Sequence, residues 1–151
     1  MTVSLNLANI ADAISNISIA GVTVKDKNEM SGSWISKPNV LFPNPEAWVT
    51  GFGMTWDAML QNADAPMTIT YTLNYRFLGV AVGDISAFPA SYSALVDKLI
   101  LIINAIISTP APYSGRIEMK IGDVSIGPKA DPAGNNYFGA DFAVSISEQQ
   151  N

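Results

Sequence analysis

Gly51-Phe52-Gly53 is the nearest thing in the chain to a phosphate loop. Such a loop needs a third glycine and a helix start directly after it, because the phosphate rests on the first backbone N–H groups of that helix. Here the pair sits in the strand-like run TGFGMTWD, so close packing against bare backbone is the reading it supports. Asp123 and Asp131, with Asn135 and Asn136 nearby, offer oxygens to a hard cation such as calcium. The spacing of an EF-hand is missing, and Gly, Pro, Asp and Asn together are ordinary loop chemistry. Glu46, Asp57, Asp64 and Asp84 are acids that a fold could bring together for glycoside hydrolysis, but nothing in the sequence selects two of them. Serines abound without a G-x-S-x-G elbow, and Lys98, the candidate partner in a Ser-Lys arrangement, stands beside Asp97 on a helix, where a solvated face is the natural role.

The totals narrow the chemistry further. Histidine and cysteine are both absent, which removes the usual general base, thiolate nucleophiles, thiolate zinc sites and disulfides. No catalytic residue, metal ligand or cofactor-binding residue is assigned, and the chain is expected not to be an enzyme. At 151 residues and 48% hydrophobic composition it has the size and apolar content of one domain, residues 1–151, with a real core. Charged residues make up only 14% against a typical quarter, so much of the surface must be covered by small polar residues or by another protein chain. The formal charge of -5, with eight Lys plus Arg scattered singly, leaves no basic stripe for gripping nucleic acid. The start MTVSLNLANIADAIS has no basic segment before its apolar residues and does not read as a secretory signal, so folding in a cytoplasm is expected and the Asn16-Ile17-Ser18 sequon is taken as chance.

Elements that would position these residues follow from periodicity. Leu7, Ile10, Ile14 and Ile17 recur at helical spacing, with Asn6 or Ser4 as cap and Gly21 after the end. GVTV, SWIS and NVLF are short β-type pieces, broken by a polar loop and by Pro38, and they lead into the Pro-rich PNPEAW. The aromatics Trp34, Phe42 and Trp48 in this section are either satellite core or partner contacts, and they are carried forward as candidate interface residues together with Arg76. In MTITYTLNYRF, Met67, Ile69, Tyr71, Leu73, Tyr75 and Phe77 alternate with polar residues, the pattern of a half-buried strand. A break at Leu78-Gly79 predicts a bulge, and the full run from Met67 to Val82 is long enough to suggest an arm projecting from the body. RIEMKI, a turn at Gly122-Asp123 and VSI follow. The segment Gly127 to Asn136 reads as an exposed loop, and its Lys129, Asp131 and Asn135, with Asp123 just before it, are candidate channel or docking residues. YFGADFAVSIS, with Phe138, Ala140, Phe142, Val144 and Ile146 on one face, is the last core strand.

Between these strands lies LVDKLILIINAII, in which ten of thirteen residues are Leu, Ile, Val or Ala. Read as part of a helix over 92–108, its apolar residues from Tyr92 and Leu95 to Ile107 fall in one arc of about 160°, wider than the stripe of about 100° that a surface helix needs. The run is shorter than the roughly twenty apolar residues of a bilayer span, and Asp97 and Lys98 interrupt it. Leu101 and Ala105 sit outside the arc beside Asp97 and Asn104, which makes them candidate contacts for a neighbouring subunit. The fold expected from all this is α+β: a mainly antiparallel β-sheet with two α-helices packed on one face and long hairpin or loop extensions.

This order of elements, with the alternating strand YTLNYRF before the long helix and the aromatic strand YFGADF at the close, resembles the small tail-terminator and neck proteins of long-tailed bacteriophages over about Leu5 to Ser147. The resemblance implies a virion protein assembled in the host cytoplasm. It would be a homo-hexameric ring that caps the tail tube, docks on the tail-tube protein and the head-tail connector or adaptor, and conducts DNA through its channel without tight binding. It implies no cofactor and no catalytic residue. A cytoplasmic small-ligand-binding module and a carboxylate hydrolase are the competing classes.

Overall fold

The computed structural model describes residues 5–26, 39–56, 67–81, 88–108 and 117–150. In chain order its elements are α1 (Leu7–Ser15), β1 (Thr23–Val24), β2 (Val40–Pro43), β3 (Val49–Trp56), β4 (Met67–Ala81), α2 (Phe88–Ile107), β5 (Ile117–Ala130) and β6 (Asn136–Gln150). The six strands form one sheet in the order β1-β2-β4-β6-β5, with β3 pairing β4 alongside β2. Every pairing is antiparallel except β1 with β2. This is the α+β, mainly antiparallel architecture expected from the sequence.

Strand parity decides which face is covered. Met67, Ile69, Tyr71, Leu73, Tyr75 and Phe77 of β4 and Phe138, Ala140, Phe142, Val144 and Ile146 of β6 are buried in one cluster with Ile10 and Ile14 of α1 and Leu95, Leu99, Ile102 and Ile106 of α2. Both helices therefore pack on the same face of the sheet. Removing each such aliphatic side chain from water is worth about 1.5–3 kcal/mol, so these positions orient the helices. On the opposite face Val40, Phe42, Leu78 and Tyr137 form a small second cluster at one end.

Four expectations change. The long strand is no projecting arm: β4 is central, bonded to β6 from Met67 to Ala81 on one side and to β3 and β2 on the other. Its predicted break is present as a register shift between Leu78 and Ala81. Gly122-Asp123 is no turn but an irregularity inside β5, between Ile121 and Val124, because the strand keeps its partner β6 on either side. The expected loop from Gly127 to Asn136 shrinks to Asp131–Asn135, since Gly127 to Ala130 pair with Gly139 to Asn136. Finally, α2 starts at Phe88 rather than Tyr92, and its window Ala90–Ile107 is long and apolar enough, by length and composition, to cross a membrane. Four of its residues are instead spent on the sheet core.

Candidate functional site

Asp131 shows how local chemistry consumes a residue expected to serve a partner. Its Oδ1 accepts the N–H groups of Ala133 (3.0 Å) and Asn135 (2.8 Å), and Oδ2 accepts from Asn135 Nδ2 at 3.2 Å. With Gly134 at φ +93, this closes the β5–β6 hairpin. Asp131 is buried and bonded within the turn, as is the side chain of the exposed Asn135. Asp123 is exposed on the β5 irregularity. Lys129 is largely covered and lies 3.7 Å from Asp141.

Arg76, expected at an interface, is buried on the helix-free face. Nε and Nη2 donate to the two oxygens of Asp141 at 2.7 and 3.0 Å, and Nη1 donates to the Ala130 carbonyl at 2.9 Å. The hydrogen bonds it donates to Asp141 hold the guanidinium above its already high range. Its role is to clamp β4 to β6 and to the hairpin end of β5. Phe42 is fully buried in the second cluster, so it belongs to the core and offers no surface. Trp34, Ser4, SWIS, Asp57, Asp64 and Asp84 lie outside the described residues. Glu46 is exposed, and the half-buried Lys98 donates to the Ala20 carbonyl at 3.0 Å. Among the described residues no group of three or more Asp or Glu could hold a metal ion.

Trp48 helps floor a cleft of about 210 Å³ between α1 and the sheet. Tyr75 and Pro43 share the floor, while Asp12, Lys25 and Asp26 stand around it. Burial pushes the Tyr75 phenol up to about 12, against a smaller lowering by the Trp48 side chain beside it. A raised phenol pKa means the fold holds the proton more tightly than the unfolded chain does. The associated stability is intact below pH 10 and is lost as pH rises toward 12, about 2–3 kcal/mol in all. Urea unfolding at steps from pH 9 to 12 should show this fall, and Tyr75→Phe should flatten it.

Part of the apolar surface of α2 is uncovered. Leu95, Leu99, Ile102 and Ile106 face the sheet, whereas Ile100, Leu101 and Ile107 are 52%, 50% and 55% exposed. The buried arc is thus narrower than the helical wheel implied, and Ile100 and Ile107 join Leu101 outside it. Ala105, at the edge of that arc, is half-buried.

A residue the sequence reading passed over is Glu148. It is 1% exposed on the helix-covered face, and its carboxylate accepts the backbone N–H of Asn6 (2.9 and 3.0 Å), Asn6 Nδ2 (2.9 Å) and the Tyr71 hydroxyl. Asn6 stands at the start of α1 but makes no side-chain cap bond, so the anionic group facing the helix start is supplied from β6. The signal was available: Glu148 continues the alternation Phe142, Val144, Ile146 onto the core face. In comparisons with known proteins, no family model matches the chain and no curated protein matches it at a significant level.

Proposed function

We propose that this chain is a structural virion protein of a long-tailed bacteriophage, a homo-hexameric ring that caps the tail tube, joins it to the head connector and leaves a channel for DNA. The observation that carries the reading is the aliphatic outer side of α2, where Ile100, Leu101 and Ile107 stay in water unless another subunit covers them. Two features support it. The resemblance rests on the order of helices and strands, which is the order the fold has, and the charged fraction of 14% suits a surface shared with neighbours.

The helix-free face adds a reason why DNA would pass without sticking. Thr68, Thr70, Thr72, Asn74, Ser145 and Ser147 share that face with a few charges. Its described cations stand beside anions: Arg76 and Lys129 beside Asp141, and Lys120 3.4 Å from Glu118. Phosphates therefore meet hydroxyls and compensated charge, with few counterions to release.

Light scattering after size exclusion, followed by negative-stain imaging, tests the ring. Leu101→Asp should leave the far-UV circular dichroism unchanged and cut the assembled fraction roughly tenfold, since a carboxylate would be buried without a partner. Unchanged assembly would discard the α2 contact. Wild-type protein that stays monomeric at high concentration and on tail tubes would overturn the ring. Binding to tail-tube protein rather than to a head-side adaptor separates a tail terminator from other neck or head-completion proteins. The cleft at Trp48 and Tyr75 favours a second reading, a small-ligand-binding module, although it is smaller than the usual range of about 300–1,000 Å³. A melting shift with a small molecule and no rings would favour it.

A further inference from the structure

Two of the sheet's three outer strands, β3 and β5, are long and have free edges among the described strands: β3 is bonded only to β4, and β5 only to β6, while the third, β1, is two residues long. A long unpaired edge is a template for another strand. Following the pairing across the sheet gives complete rows. Val49, Leu73, Val144 and Ile121 form one row; Thr50, Thr72, Ser145 and Lys120 the next; Gly53, Thr70, Ser147 and Glu118 another; and Met54, Ile69, Glu148 and Ile117 the last. The free edge of β3 and the first half of β5 therefore lie at the same level on opposite sides of one four-stranded antiparallel unit.

We infer that β3 of one copy pairs with the Ile117–Ile121 segment of β5 in the next copy, so that the sheets of neighbouring subunits run on into one continuous β-wall. The occupant is a second copy for two reasons. First, β3, β4, β6 and β5 alternate in direction, and four is an even number, so placing the next copy's β3 beside β5 in head-to-tail fashion continues the antiparallel alternation. Second, the two faces match. On the helix-covered face Val49 and Met54 would join Ile117, Met119 and Ile121, while on the other face Thr50 and Thr55 would join Glu118 and Lys120. Any even shift in register, such as ring closure requires, keeps that match, whereas an odd one would reverse it. The pairing also accounts for Val49 and Met54, 40% and 41% exposed on β3 in the single chain.

This inference rests on the self-assembly in the proposed function and not on the virion role. The chain has no cysteine, so introduced thiols report cleanly. Thr50 and Lys120 lie in one row three strand spacings apart, about 14 Å, too far for a disulfide within one chain. Thr50→Cys with Lys120→Cys, and Thr55→Cys with Lys120→Cys for a shifted register, should each be made in the full chain and mildly oxidised at assembling concentration. A ladder of covalent multimers in at least one pair, roughly tenfold above either single variant, is the expected result, because assembly holds the thiols at high effective concentration. Rings by mass without such linkage would overturn the edge pairing and leave the ring standing. Linkage into open strings would support the pairing and overturn the ring, and a monomer with no linkage would overturn both.

Discussion

Replacing Glu148 with Ala should cost the fold about 3 kcal/mol, read as a lower urea midpoint at pH 7. The carboxylate is the acceptor for three donors from two elements, Asn6 N–H, Asn6 Nδ2 and Tyr71 O–H. Its loss leaves a buried phenol and the start of α1 without their acceptor, at about 1–3 kcal/mol for each group left unsatisfied, with relaxation at the half-buried Asn6 returning part of it. The helix also loses the anion at its positive end, worth about 0.3–1 kcal/mol. Tyr71→Phe should cost less, about 1 kcal/mol, because the donor goes and the carboxylate keeps its other two bonds. Glu148→Gln should fall between the two. The double variant Tyr71→Phe with Glu148→Ala should cost less than the sum of the singles, since the same bond is lost in both. Equal midpoints for wild type and Glu148→Ala would mean that α1 is held by its apolar contacts, Ile10 and Ile14 foremost.

Gly139→Ala should be at least as damaging, roughly 3 kcal/mol or more, and Gly127→Ala close to neutral. The two glycines face each other across β5 and β6. A Cβ on Gly139 would run into the Phe77 carbonyl and the Leu78 backbone, whereas one on Gly127 would meet nothing within 4 Å. The obstruction is β4 backbone, which cannot swing aside as a side chain can, so the β4–β6 ladder must shift next to its register break. Gly79 repeats the pattern, with Phe138 O 2.8 Å and Leu95 Cδ1 3.2 Å from an added Cβ. These two glycines let the bulged end of β4 lie close to β6 and α2. Thermal melts of the matched pair at positions 139 and 127 measure the difference directly, and equal Tm values would show that the ladder relaxes more easily than the geometry indicates.

The candidate interface residues were unevenly legible. Leu101 was identifiable because it breaks the polar side of a helix, a pattern visible in any helical wheel, and it is indeed half exposed. Ile100 and Ile107 were not, because the wheel shows an apolar arc but not how much of it a twisted sheet can cover. Phe42 and Arg76 looked like contact residues in a polar or Pro-rich neighbourhood. Their burial depends on Tyr137 and Asp141, residues far along the chain. Asp131 carried an ambiguous loop composition, and the turn it caps became definite only when Ala130 and Asn136 were paired.

By itself the sequence determined the class of fold, the two helices on one face and the parity of β4 and β6, because alternation and helical spacing are local properties that burial then enforces. It also determined that histidine and cysteine chemistry are absent, which no folding can change. Only the tertiary structure decided strand order, the conversion of a supposed arm into the central strand, the tertiary cap by Glu148 and which of the described strands lie at the edges. Each depends on which distant segments share hydrogen bonds. A strand's own residues specify its faces but not its neighbours, since backbone donors and acceptors are the same at every position.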